Sequence, residues 1–379
     1  MTIEPPRDAV SPPVPKPTVS TDLTPTASLL PTEPLPLSDG PRRGATCPNC
    51  RARVGGKDRF CEECGQEIGA RRAALPRPSK ELAAEPSTCE SCGGREHDAE
   101  GYCRGCGQLR TQPDRFEADL GAVYLATDRG LSHARNEDSV AAAVLDGPGG
   151  IPGTTVIVVS DGVSSSEDPQ AASGAAVRAG VDGCLLALAE GDSLTDAVYA
   201  GLLAAIKAVR ATAKPSGHAP SCTYVSAIVR GYGTGEFEIA HVNIGDSRAY
   251  WLRTESSAST CPPSQRLTKD DSYAQTLVDL GTDDETAMQH PRAHHLMRWL
   301  GADSGADPAA ESCVGSFTTT GPGVLLLCSD GLWNYRPRAQ ELAAIATAAE
   351  RMPAARELVE FALRSGGRDN ITVALAPIT

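Results

Sequence analysis

TTVIVVSDG (residues 154–162) is a β-branched run that stops on Ser-Asp-Gly. Val, Ile and Thr favour a strand, and the glycine marks its end. GVLLLCSDG (323–331) repeats the arrangement. A buried strand ending this way presents its carboxylate at the sheet edge, and the glycine lets the backbone come close to a ligand. One Asp-Gly is ordinarily no more than a turn. Two copies carry more weight when Asn-Glu-Asp stands at 136–138 and Arg-Asp-Asn at 368–370, just before the apolar run ITVALA. These four places predict carboxylates converging at one end of a sheet pair.

Clustered carboxylates repel one another, which raises some of their pKa values unless cations neutralise them. Oxygen-only ligation favours Mg²⁺ or Mn²⁺. Two such ions orient a water, lower its pKa and neutralise a phosphoryl oxygen, the requirements of metal-assisted phosphate hydrolysis. A covalent route has no candidate. Outside the paired cysteines described below there is no phosphatase-like CxxxxxR loop, and Cys184, Cys222, Cys261, Cys313 and Cys328 read as structural.

Further short runs, YVSAIV (224–229) and FEIAHVNI (237–244), also predict strands. Alanine- and leucine-rich segments at 168–190, 194–213, 337–349 and 353–365 have helical spacing and come in pairs. Strands at the beginning, middle and end with paired helices between them predict an α+β layered domain rather than strict βαβ alternation. SHARNEDS (132–139) lies inside it. The plain reading of that stretch is a solvated acidic turn. The sharper one has Glu137 and Asp138 helping to hold a metal while His133 or Arg135 faces an anion.

The chain ahead of this domain has a different texture. Residues 1–41 are dense in proline and lack hydrophobic periodicity, so they are expected to be a disordered arm. A tether is the simpler role, and a ligand for a proline-recognition domain is the alternative. Residues 42–112 hold an internal repeat, 47–66 and 89–108, each with CxxC, ten residues, then CxxCGQ. Cys47, Cys50, Cys61 and Cys64 are expected to surround one structural Zn²⁺, and Cys89, Cys92, Cys103 and Cys106 a second. Neither half has a core that would fold without metal. The pair resembles the double zinc ribbons found at the ends of many bacterial and archaeal proteins.

The net charge is −13, yet residues 1–112 balance at 15 Lys+Arg and 15 Asp+Glu, so the acid excess lies in residues 113–379. That disfavours nonspecific nucleic-acid binding. The ribbons are accordingly expected to contact protein, or to regulate the chain itself, rather than to read nucleic acid. No apolar run approaches the ~20 residues of a membrane span, and the first thirty residues lack a signal-peptide core. A cytoplasmic location is the expectation, with metal rather than disulfides at the paired cysteines.

The order of the pieces over residues 118–377 resembles the type 2C, metal-dependent (PPM) serine/threonine phosphatases. The motifs are TDRGLSHARNEDS, VIVVSDG, HVNIGDSRAYWL, RLTKDDSYAQTLVDLG, HHLMRWLG, VLLLCSDGLW and RDNITVAL. The resemblance implies a β-sandwich of two antiparallel sheets flanked by helix pairs, with a dinuclear Mg²⁺/Mn²⁺ site at one end. It matches Asp161 to the carboxylate bridging both metals and the Gly162 carbonyl to a ligand of one. Glu137 matches the acid of the second site, with Asp138 beside it as ligand or water-mediated partner. Asp330 and Asp369 match the remaining acids of the first. Asp246 serves either a third, weaker metal or a structural turn. Asn370 is expected to fix its turn, and Arg248 to make a structural ion pair.

Two departures bear on catalysis. The family pattern GxxRxxNED has a phosphate-binding arginine where this chain has His133. Histidine offers one donor and a pH-dependent charge in place of a permanent bidentate fork. His133 either contacts phosphate or transfers a proton, or else it is a passive replacement, and Arg135, two residues on, is the candidate to take over the phosphate contact. Val163, after SDG, cannot donate a proton. The resemblance implies phosphoprotein substrates of Ser/Thr kinases. A catalytically weak phosphatase-like adaptor that binds phosphoproteins is the alternative. Metal analysis of the purified chain is expected to return two zinc ions, one for each group of four cysteines; a lower content contradicts the repeat reading.

Overall fold

The computed structural model describes residues 114–145, 153–214, 219–254, 262–302, 313–347 and 351–378, the strand at 70–75 and a few short pieces elsewhere. Two six-stranded antiparallel sheets form its centre. The first runs β1 (Ala70–Leu75), β4 (Ser139–Leu145), β5 (Thr154–Ser160), β7 (Tyr224–Gly231), β8 (Phe237–Ile244) and β12 (Val314–Thr319). The second runs β10 (Gln265–Arg266), β9 (Arg248–Leu252), β13 (Gly323–Cys328), β14 (Ile371–Ile378), β3 (Tyr124–Asp128) and β2 (Phe116–Asp119). A short pair joins β6 (Ser221–Cys222) to β11 (Leu300–Gly301).

The unbroken apolar runs follow from burial on both faces of each sheet. Along β4 and β5, Val140, Ala142, Ile157 and Val159 point between the sheets, where they meet Trp251, Leu325, Leu327 and Ala374. Ala141, Ala143, Val156 and Val158 point outward, to the long helices α1 (Pro169–Glu190) and α2 (Leu194–Arg210). Leu326, Cys328, Val373 and Leu375 cover the other outer face, beneath α6 (Ala339–Ala346) and α7 (Arg351–Arg364). The short helices α3 (Tyr273–Asp279), α4 (Asp284–Met288) and α5 (Asp330–Trp333) complete the domain. The expected sandwich flanked by helix pairs is present.

Observed helix bounds differ from the expected ones by a few residues, and the differences have local causes. Pro169 occupies the first turn of α1, where a missing N–H costs nothing, and Gly191 closes that helix in the left-handed region at φ 94°. The Ser193 hydroxyl accepts the Asp196 N–H at 3.1 Å and so starts α2. α1 also corrects the reading of the apolar runs: by length and composition this helix is apolar enough to cross a membrane. Here its Ala172, Ala176, Val177, Val181 and Leu185 are buried in the helix–sheet core.

The arm at 1–41 lies outside the described residues. Of the eight paired cysteines only Cys92 and Cys106 fall within them, and both are exposed. One segment between the cysteine repeats is described. The strand β1 pairs with β4 along its whole length, from Ala70 opposite Leu145 to Leu75 opposite Val140. Arg72 adds an ion pair to Asp182 of α1 at 2.7 Å. The stretch assigned above to the ribbons therefore supplies the edge strand of the first sheet.

α1 and α2 approach closely enough that glycine is required where they cross. A Cβ on Gly201 would lie 2.3 Å from Cys184 Sγ and 2.8 Å from the Gly180 carbonyl oxygen. Gly201→Val is expected to lower the unfolding free energy by roughly 2 kcal/mol or more through overpacking; urea unfolding checks this.

Candidate metal centre

β5 ends at Ser160, and the next residue is fixed by a neighbouring strand. The Asp161 N–H donates to Thr223 Oγ1 at 2.9 Å, and its carbonyl accepts the Thr223 N–H at 2.8 Å. Gly162 must be glycine because a Cβ there would sit 2.8 Å from the Glu137 carbonyl oxygen and from Pro169 Cβ. In the other sheet, Ser329 follows β13. Its hydroxyl donates to Asp138 Oδ2 at 2.7 Å and accepts the Thr372 N–H at 3.0 Å. Asn370 ties the loops together: its Nδ2 donates to the carbonyls of Arg129 and Arg135, and its Oδ1 accepts the Glu137 N–H at 2.7 Å. The expected turn-fixing role of Asn370 is thereby accounted for.

Asp138, Asp161, Asp246, Asp330 and Asp369 lie together at one end of the sandwich. Asp161, Gly162, Asp246, Asp330 and Asp369 line a cavity of about 610 Å³ together with Ser164, Ser165, Ser166, His294 and His295. Asp138 is buried and lies outside that lining. The Glu137 carboxylate is turned to Ser164, whose hydroxyl donates to it at 2.7 Å. His133 Nε2 lies 3.1 Å from Asp369 Oδ1, so the imidazole faces an acid. Neither His133 nor the exposed Arg135 is among the lining residues. Arg248 makes the expected buried ion pair, its Nη2 2.6 Å from Asp270 Oδ2.

Electrostatics tests whether these residues suit cations. Burial, then the charges of Asp138 and Asp330, hold the Asp161 carboxyl well above the usual carboxylate range. Burial, with Asp246 and Asp369, does the same to Asp330. Burial pushes Asp138 up to about 7 despite the Ser329 hydrogen bond. Asp246 also reaches about 7, from burial and then Asp270. Asp138 Oδ1 and Asp330 Oδ1 are buried and have no hydrogen-bond partner. Buried, mutually repelling oxygens that no protein donor satisfies fit hard divalent cations.

Composition gave no role to His294. It lies close to Asp246 and Asp330, with one ligand atom of each of the three within 4.8 Å of the others. Only its place in HHLMRWLG hinted at it.

No family model matches the chain. Curated relatives do, among them two serine/threonine phosphatases. Serine/threonine phosphatase stp of Listeria welshimeri is 30% identical over 258 residues, which is 66% of this chain and 92% of the relative. The chain belongs to the PPM-type serine/threonine phosphatase family. Serine/threonine protein phosphatase PstP of Mycobacterium tuberculosis is also 30% identical, over 259 residues, and the match spans 44% of PstP's length. The fold agrees: the S. agalactiae serine/threonine phosphatase superposes with a TM-score of 0.52 at 22% identity, over 68% of this chain and 99% of that one.

The raised carboxyls have a consequence for stability. A carboxyl whose native pKa exceeds its unfolded value of 3.8 favours folding while protonated, so the contribution is complete below about pH 4 and is lost as pH rises through about 7. The metal-free chain is expected to lose stability across that window, and Mn²⁺ or Mg²⁺ to restore it. Asp138→Asn should weaken the pH dependence and raise the metal-free melting temperature above pH 7, by about 2–4 °C for each kcal/mol relieved. Thermal denaturation of both proteins between pH 5 and 8 measures it.

Proposed function

We propose that the chain hydrolyses phosphoserine and phosphothreonine in proteins, using two Mg²⁺ or Mn²⁺ ions. The observation that carries this reading is the group of aspartates at one end of the sandwich, with two buried oxygens that have no partner. Asp161, Asp330 and Asp369 would hold the first ion; Asp161, the Gly162 carbonyl and Glu137, aided by Asp138, would hold the second. Such ions supply Lewis acidity at a phosphoryl oxygen and an acidified water. The chain's own groups do the rest. Asn334 Nδ2 donates to Asp330 Oδ2 at 3.0 Å and leaves Oδ1 free to bind. His133 steadies the more exposed Asp369. Ser165 and Ser166 give the cavity wall hydroxyl groups to meet a phosphoryl group, while the Ser164 hydroxyl is held by Glu137.

In this reading the two cysteine repeats hold structural zinc and target or regulate a cytoplasmic enzyme that opposes Ser/Thr kinases. One observation favours the alternative, a catalytically weak adaptor that binds phosphoproteins: among the described residues, no arginine or lysine lines the cavity. Hydrolysis of a phosphothreonine peptide with Mn²⁺ separates the two. Asp330→Ala is expected to lose roughly a hundredfold or more, given that even outer partners of a metal cost 10–100-fold. Wild-type chain that binds Mn²⁺ yet shows no turnover supports the adaptor instead. If His133 serves only to steady Asp369, His133→Gln should lower apparent Mn²⁺ affinity more than kcat at saturating Mn²⁺.

A further inference from the structure

Residues 113–379 hold the whole acid excess of the chain, yet three arginines meet beside the metal centre. We propose that Arg135 and Arg368, backed by Arg129, form a shelf for a second anionic group of the substrate. That group is a carboxylate or phosphoryl group close in sequence to the phosphate being removed. This rests on the phosphatase reading above and names its substrate class: acidic or multiply phosphorylated segments.

Backbone contacts bring the three arginines together. Asn370 Nδ2 donates to the Arg129 carbonyl at 2.7 Å and to the Arg135 carbonyl at 3.1 Å, and Arg368 lies two residues before it. The Leu131 N–H donates to the Gly367 carbonyl at 2.7 Å. Gly130, at φ 74°, sits so close to the same turn that a Cβ would collide with the Asp369 carbonyl oxygen. Residues 129–135 and 367–370 are thus tied into one unit, and its Asp369 lines the metal cavity. The arginines themselves lie outside that lining. They are placed for the neighbours of the group at the metals rather than for that group itself. An extended segment advances ~3.3 Å per residue, so an anion a few positions away comes within reach of a long arginine side chain.

Their charge is available. Arg135 and Arg368 are exposed, and among the described residues neither makes an ion pair. Arg129 Nη1 donates to the Ala134 carbonyl at 3.4 Å, while its Nε is buried with no partner. Asp114 is the acid that feels Arg129 and Arg135. Asp128 is engaged by Arg115 at 3.5 Å, and Asp369 is turned to His133. Three guanidinium groups against one such acid leave a positive excess. A guanidinium fork matches paired oxygens of a carboxylate or a phosphoryl group, and the phosphoryl group carries the greater charge.

Turnover of phosphothreonine peptides by the full chain, loaded with Zn²⁺ and Mn²⁺, tests this. One peptide has neutral flanks, a second carries flanking aspartates, and a third carries flanking phosphonate analogues of phosphoserine that cannot be hydrolysed. At least one anionic peptide should exceed the neutral one in kcat/KM by about fivefold, the scale expected of two exposed charge pairs. High salt should shrink the gain. The second and third peptides separate carboxylate from phosphoryl recognition. Arg368→Gln and Arg135→Gln should bring the anionic-to-neutral ratio towards one, a ratio from which general changes in activity cancel. Arg338→Gln removes an exposed arginine elsewhere and should keep it. A wild-type ratio near one, or a ratio that survives in both shelf variants, overturns this inference and leaves the phosphatase reading standing. If the chain binds Mn²⁺ but hydrolyses none of the peptides, that reading fails. Fluorescence anisotropy of the same peptides then decides the shelf, which is overturned if all three bind alike.

Discussion

Like charges in a small enclosed space are the constraint around which this domain is arranged. Two unit charges about 4 Å apart repel by about 4 kcal/mol at the effective dielectric of a protein near its surface. A whole domain is stable by only about 5–15 kcal/mol. Asp138, Asp161, Asp246, Asp330 and Asp369 cannot all remain anionic in one place on those terms. Protons or cations have to share the space with them. The raised carboxyls describe the first solution, and the unsatisfied oxygens point to the second.

The two sheets meet differently at this end than in their middle. Between them, packing is apolar, with Ile157, Val159, Trp251 and Leu327 in one continuous core. Near the acids, hydrogen bonds replace it. Thr127 and Thr372 share a 2.6 Å hydroxyl contact, Asn136 Nδ2 donates to Thr127 Oγ1 at 2.8 Å, and Ser329 reaches across to Asp138. A directional network fixes oxygens to within a few tenths of an ångström, which leucine packing would not do, and it leaves room for something polar between them.

Much of this was legible in the residues themselves. The β-branched runs became strands because both their faces are buried, and the Ser-Asp-Gly endings became site corners because each follows a central strand. What resisted reading depended on contacts between distant parts of the chain. His294 stands in a loop with no periodicity, and only the fold brings it beside Asp246 and Asp330. His133 is expected to contact phosphate or transfer a proton, and the neighbour that the fold gives its ring is Asp369, a partner supplied by the far end of the sequence. The edge strand β1 was hidden for a similar reason. ARRAAL has little β-branching, and its strand character is conferred by β4.

That borrowed strand bears on how the domain behaves in pieces. β4 reads SVAAAVL, a seven-residue strand with almost every residue buried. On one side it pairs with β5, and on the other its hydrogen-bonding edge is closed by β1. A fragment starting at the conventional domain boundary, after the cysteine repeats, would leave that edge bare. Long, flat, apolar edges recruit strands from neighbouring molecules. The segment between the repeats thus closes the edge of the first sheet from within the same chain.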